Sequence, residues 1–270
     1  MSISNKKNSI LLEIVDYKKT LINNLYKEVG LDVLKKDSED INKSFQAFSF
    51  FKALSKKGLN LIAEVKKASP SKGIINHDFK PTKLAIDYVG FGAKALSVLT
   101  EDRYFQGSNA ILNQVSEHVS VPLLRKDFIL DPIQVYEAKQ YGASAILIIL
   151  AILSVNQAQI LLDTAYKSGL DVLIEIHDDA DVEKLYQLKN VKIIGINNRN
   201  LNSFDVDIQT ANYYYQKLKQ DFSSCLFVAE SGYDDFQQCK DLEILGFNAV
   251  LIGEGLVTSK SLLTYFSHES

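Results

Sequence analysis

Eight short apolar runs recur along the chain, each followed by a stretch with helical signals. They are Leu59 to Val65, Ala93 to Leu99, Pro122 to Arg125, Ala143 to Leu150, Asp171 to Ile176, Lys192 to Asn197, Leu226 to Ala229 and Ala249 to Ile252. The intervals carry helix punctuation. Asp131-Pro132 before IQVYEAKQYG supplies an N-cap, a proline at the first helical position and a closing Gly142. Between Ser154, a candidate cap, and Gly169, the residues Val155, Ala158, Ile160, Leu161, Leu162 and Ala165 share one helix face. Nearly continuous apolar strands alternating with helices predict a parallel sheet covered on both faces. Eight such units predict closure, so the fold class is α/β, a single (β/α)8 TIM barrel. A doubly wound open sheet is the alternative and needs a glycine-rich turn after the first strand. That turn reads KKASPSKG, Lys66 to Gly73, which lacks the fingerprint.

Residues 1–57 precede the first strand, and Ile10, Ile14, Tyr17, Leu21 and Leu25 align on one face between Ile10 and Lys27. They predict extra N-terminal helices packed on the barrel, with residues 1–270 forming one domain. The longest apolar run, Ala145 to Leu153, is shorter than the ~20 residues that cross a bilayer. It reads as a buried strand running on into a loop, and no membrane contact is expected.

Composition narrows the function. The 270 residues are 46% apolar and 23% charged, ordinary for a globular protein. With 30 Lys and Arg against 33 Asp and Glu, the net charge of −3 supplies no general polyanion-binding field, so nucleic acid is not an expected partner. Cys225 and Cys239 make neither a disulfide framework nor a zinc motif, and the polar start MSISNKKN is no secretory signal, which points to the cytoplasm. His77, His118, His177 and His268 are scattered, so no metal is expected.

Barrel chemistry sits at the carboxyl ends of the strands, and there the apolar runs are interrupted by charge. The first run ends Glu64-Val65-Lys66, and strand alternation puts Glu64 and Lys66 on one face, as an acid/base pair or a surface ion pair. Lys126 follows the third run, as a general acid or a solvated loop lysine. Glu175 interrupts the fifth between Ile174 and Ile176; a buried carboxylate there must face the mouth or be paired. Asn197 and Arg199 offer an amide and a guanidinium to a substrate oxygen, with Asn198 and Asn200 as turn residues. The seventh run ends Glu230-Ser231-Gly232 and the eighth Gly253-Glu254-Gly255; glycines at these places let backbone N–H groups approach an anion. The run Asp178 to Asp181 reads as helix capping, and Tyr213-Tyr214-Tyr215 as helix packing.

Taken in order, IAEVKKASPS (62–71), LTE (99–101) with FQGS (105–108), LRKDF (124–128), LIEI (173–176), GINNRNL (195–201), AESG (229–232) and LIGE (251–254) resemble the blocks of the indole-3-glycerol phosphate synthase family. The resemblance runs from about residue 10 to the end and is weakest over the first 50 residues. It implies a cofactor-free barrel that converts 1-(2-carboxyphenylamino)-1-deoxyribulose 5-phosphate to indole-3-glycerol phosphate, CO2 and water. On that resemblance Lys126 is the general acid, Lys66 pairs with the anthranilate carboxylate and helps bind phosphate, and Glu175 and Glu64 are bases or charge stabilisers. Asn197 and Arg199 orient the substrate, and Glu230 is a further active-site carboxylate. Ser69, Gly232, Gly253 and the backbone of Glu254 surround the phosphate, and Pro70, Phe128, Leu147, Leu201, Ser231 and Leu251 line the substrate. Neither oligomeric state nor rate-limiting step is legible; a monomer is expected, and Lys72 and Gly73 suggest that the loop from Ser69 to His77 closes as a lid. Another phosphosugar barrel, such as a phosphoribosylanthranilate isomerase or a tryptophan synthase α subunit, is the nearest alternative, and a catalytically silent barrel is the more distant one.

Overall fold

The computed structural model describes residues 4–40, 46–200 and 203–267. Eight parallel strands close into a barrel: β1 (Asn60–Val65), β2 (Ala95–Leu99), β3 (Leu123–Lys126), β4 (Ala145–Ile149), β5 (Asp171–Ile176), β6 (Ile193–Asn197), β7 (Leu226–Glu230) and β8 (Ala249–Ile252). Each pairs with its sequence neighbours, and β8 closes on β1. The eight expected runs are these strands, with edges shifted by a residue or two. Lys126 and Glu230 fall within strands rather than just beyond them. The run expected to pass from strand into loop instead winds one 3-10 turn at Leu150–Ile152.

Alternation along the strands sorts side chains into two cores. Ile62, Ala95, Leu124, Ala145, Leu147, Leu173, Ile193, Val228, Ala249 and Leu251 fill the barrel interior. Their neighbours, among them Leu61, Ala63, Val172, Ile174, Ile194 and Val250, pack outward against the helices. Those helices are α4 (Pro81–Gly90), α5 (Asn109–Ser116), α6 (Pro132–Gln140), α7 (Val155–Lys167), α8 (Asp179–Leu185), α9 (Gln209–Leu218), α10 (Phe236–Leu245), α11 (Glu254–Thr258) and α12 (Lys260–Ser267). Asp131 and Ser154 form capping boxes and Asp178 caps α8, as the sequence suggests; of the three tyrosines read as packing, Tyr214 and Tyr215 are buried in α9 but Tyr213 is exposed, because it falls on the solvent side of the helix.

The segment before β1 closes the barrel at both ends. It forms α1 (Ser4–Glu28), α2 (Leu31–Asp40) and α3 (Ser49–Leu54). Phe50 and Leu54 of α3 are fully buried in the interior core, and Phe51 N–H donates to Asp171 Oδ2 (2.8 Å) at the start of β5, so α3 plugs the amino end. Helix α1 crosses the carboxyl end. Its Ile14 joins the interior core, and its Lys18 forms a buried ion pair with Asp127 at 2.8 Å, one residue beyond β3.

Candidate active site

Inward parity carries the polar residues at the strand ends into one cavity. Glu64 stands two residues above Ile62 on β1, Lys126 two above Leu124, Glu175 two above Leu173 and Glu230 two above Val228. The cavity encloses about 410 Å³ at the carboxyl mouth. It is lined by Glu64, Lys66, Ser69, Pro70, Lys126, Phe128, Leu147, Glu175, Asn197, Arg199, Ser231, Leu251, Gly232, Gly253 and Glu254. Every expected site residue is therefore in its wall except two. Glu230 is fully buried beneath the floor, and Leu201 lies outside the described residues.

At the floor, the Lys126 ammonium donates to Glu230 Oε2 at 2.6 Å and to Glu175 Oε2 at 3.3 Å. Both carboxylates are almost completely buried, and each keeps a second oxygen, Oε1, without a hydrogen-bond partner. Glycine at 195 makes room for this, because a Cβ there would overlap Glu230 Oε1. Burial alone would depress the Lys126 ammonium, but Glu230, Glu175 and Glu64 outweigh it and hold the pKa above the ordinary lysine value. Lys126 is thus a cation. Burial pushes the Glu230 carboxyl the other way from its usual range, up to about 7, with the Glu175 charge adding to the rise and Lys126 opposing it. One ammonium between two buried carboxylates leaves an excess negative charge, and a proton on Glu230 relieves it.

Beside this group, Lys66 donates to Glu64 Oε2 at 2.5 Å and lies 3.9 Å from Glu254 Oε1. Glu254 also pairs with Lys72 at 2.6 Å and Arg199 at 3.9 Å. Burial would raise the Glu254 carboxyl, but these three cations reverse that and lower it. Asn197 Oδ1 accepts from Arg199 N–H (2.9 Å), which turns the chain back over the mouth.

Strand order divides the wall into two sides. The apolar lining gathers at the ends of β2, β3 and β4, which are consecutive in the barrel: Leu99, Phe105, Phe128, Leu147 and Ile149, with Leu11 and Ile14 of α1 above and Lys126 reaching inward from β3. Around β7, β8 and β1 it is polar and glycine-rich: Lys66 and Lys72 stand among Glu64, Glu254 and Asp234, and Ser231 and Gly232 take positive φ (66° and 87°). Among the described residues no acceptor meets the backbone N–H of Gly232 or Gly253, so both can serve an anion. One face suits an aromatic ring and the other a phosphate.

Several contributors escaped the sequence reading. Asn198, expected as a turn residue, is buried; its Nδ2 donates to Ser231 C=O (2.9 Å) and its Oδ1 accepts from Ala211 N–H (2.9 Å). It thereby holds the Ser231-Gly232 turn in its left-handed shape. Glu101 is fully buried and accepts from the N–H groups of Arg103, Tyr104 and Phe105, presenting Phe105 to the cavity. Leu11, Ile14 and Lys72 had no local signal beyond an amphipathic face and a loop lysine. Asn200 is a turn residue, its Oδ1 accepting from Ser203 N–H (3.0 Å). Among the described residues no group of three or more His, Cys, Asp or Glu is placed to hold a metal, and no helix is long and apolar enough to cross a membrane.

Comparison with known proteins bears on the same surface. A sequence profile of indole-3-glycerol phosphate synthase matches residues 11–266. An indole-3-glycerol phosphate synthase from Prochlorococcus marinus subsp. pastoris is 41% identical over 266 residues, covering 97% of this chain and 89% of its own. One from Chlorobium luteolum is 48% identical over 204 residues, 76% of each chain. Among solved structures, 3-hexulose-6-phosphate synthase from Salmonella typhimurium superposes with a TM-score of 0.59 at 15% identity, over 78% of this chain and 97% of that one, a likeness of fold alone.

Proposed function

The chain belongs to the indole-3-glycerol phosphate synthase family, and from that premise we propose how its cavity carries out the family's carboxy-lyase reaction. The substrate, 1-(2-carboxyphenylamino)-1-deoxyribulose 5-phosphate, lies with its ring against Phe128, Leu147 and Pro70, its phosphate at Ser69, Gly232, Gly253 and the backbone of Glu254, and Leu251 beneath. The location of Lys126 carries this reading: an ammonium that reaches from the apolar β3 side across the floor and is held between Glu175 and Glu230.

The ring carbon bearing the carboxylate attacks the ribulose carbonyl carbon, and a new C–C bond forms. The carbonyl oxygen becomes a strong base as the bond forms, strong enough to take the proton that the carboxylates otherwise hold on Lys126. CO2 then leaves, and its bonding pair restores the aromatic ring. The nitrogen lone pair expels the new hydroxyl as water with a proton from Lys66, and a carboxylate removes hydrogen from the adjacent methylene. Glu175 is assigned as that base, since it lines the cavity with a free Oε1, whereas Glu64 is engaged by Lys66. Glu230 sets the charge of Lys126 from below, and Asn197 and Arg199 orient the substrate. Proton transfers suffice for every step, so no cofactor or metal is called on. The apolar wall excludes water and strengthens each of these interactions. The same reading takes the chain as one domain acting as a monomer in the cytoplasm, with residues 1–57 as its helical cover and a small phosphorylated molecule as its partner.

The test is to add the substrate to the purified protein and follow indole fluorescence together with CO2 release; the chain has no Trp, so background emission is low. Stoichiometric CO2 and fluorescence support the assignment. Sugar isomerisation without CO2 would move it to another phosphosugar barrel, and tight binding without turnover would favour a silent barrel.

A further inference from the structure

Three cations converge on one carboxylate at the rim of the cavity. Glu254 accepts from Lys72 at 2.6 Å and stands 3.9 Å from both Lys66 and Arg199. Lys66 is also held by Glu64, so the group of three cations and two carboxylates carries a net charge of +1. Lys72 sits at the tip of a short hairpin in which Ala68–Ser69 pairs antiparallel with Gly73–Ile74, and Gly73 takes a positive φ of 65° to make the turn. The hairpin is fixed at its base, where Ile75 and Asn76 N–H donate to Lys67 C=O. Its tip is tied to the barrel by the ion pair with Glu254. Lys72 is 62% exposed at its side chain, so neither the fold nor the interior core depends on it.

An exposed lysine gains little from a single carboxylate in water. Here, however, the carboxylate lines the same cavity as Gly232 and Gly253, whose N–H groups have no acceptor among the described residues. We propose that Glu254 is an internal stand-in for the substrate phosphate, and that Lys72 is a phosphate-binding residue that exchanges Glu254 for the phosphate when substrate enters. The proposal rests on the phosphate end assigned above. A dianion brings twice the charge of the carboxylate it replaces, and it gathers Lys72, Lys66 and Arg199 more strongly. The Glu254 side chain therefore competes with the ligand, while its backbone assists it. Phosphorylated substrates are selected over unphosphorylated ones because only a dianion outcompetes Glu254 for Lys72.

This makes two variants move in opposite directions. Binding of inorganic phosphate, measured by titration calorimetry at low ionic strength, is expected to weaken about fivefold in Lys72→Ala and to recover in Lys72→Arg. It is expected to tighten about threefold in Glu254→Gln, which removes the competing charge and keeps the backbone. KM for the substrate should follow the same order with kcat nearly constant. Phosphate affinity unchanged in Lys72→Ala, or weakened in Glu254→Gln, would overturn the exchange. Lys66→Gln separates this from the underlying assignment: if it binds phosphate as the native protein does, the phosphate end itself is misplaced, whereas a loss there with an unchanged Lys72→Ala rejects only the role of Lys72.

Discussion

Replacing Lys18 with Met keeps the aliphatic stem and deletes the charge that ties α1 to the catalytic end of the barrel. The Lys18–Asp127 pair measures 2.8 Å and both side chains are at most 5% exposed. Removing one partner of a buried pair costs ~3–5 kcal/mol when the other is left alone. Asp127 is not left alone: it still accepts from Thr100 Oγ1 (2.7 Å), Phe128 N–H (2.8 Å) and Arg125 (3.2 Å). The expected loss is therefore ~2–3 kcal/mol, a shift of ~1 M in the urea midpoint for an m value near 3 kcal/mol/M. Burial pushes the Asp127 carboxyl up, but Lys18 and Arg125 prevail and hold it below its ordinary value of 3.8. A depressed folded pKa gives stability that is present above that ordinary value and lost as pH falls through the folded one. The gap between native protein and variant is thus widest at neutral pH and closes as the medium is acidified below about pH 4. KM should rise as well, because α1 brings Leu11 and Ile14 to the cavity. Urea titrations at pH 7 and at about pH 2.5, below the ordinary carboxylate value, decide the matter; a deficit under ~0.5 kcal/mol at pH 7, or one that does not shrink at the acidic pH, would refute the reasoning.

Glu230→Gln removes the carboxylate nearest Lys126, so the alkaline limb of the kcat profile, which this carboxylate keeps above the ordinary lysine range, should move to lower pH by about one unit while KM changes little, as read from turnover carried up to about pH 11. Asn198→Asp keeps the acceptor for Ala211 N–H but sets a carboxylate against Ser231 C=O; KM should rise about tenfold with a smaller change in kcat, measured by steady-state kinetics. Burial raises Asp171 to about 6 even though Phe51 N–H and Lys192 oppose the rise. A raised carboxyl destabilises the folded state as pH climbs through that value, so Asp171→Asn should gain ~2 kcal/mol at pH 8 and lose the advantage near pH 4, by urea titration.

The eight strands were legible because each is a short, mostly apolar run whose polar residues gather near its ends, and the period of two then decided which strand-end charges share a face. That parity brings Glu64, Lys126, Glu175 and Glu230 together in space although they are spread over most of the chain. What stayed hidden depends on contacts that no local period encodes. Asn198 carries the composition of a turn, and its function lies in a hydrogen bond to Ser231, 33 residues away. The amphipathic stripe of α1 announces a packed helix but not that Leu11 and Ile14 roof the cavity, and nothing in SFFKAL signals a plug at the opposite end. Lys72 has a loop lysine's surroundings until Glu254 is placed beside it.

The central claim is that Lys126 donates the proton that drives ring closure. Turnover of Lys126→Ala, with folding checked by circular dichroism and substrate binding by calorimetry, tests it most directly. The account predicts a loss of kcat of about a thousandfold, with binding retained within about tenfold. A folded variant that still forms indole-3-glycerol phosphate at near-native kcat would contradict it.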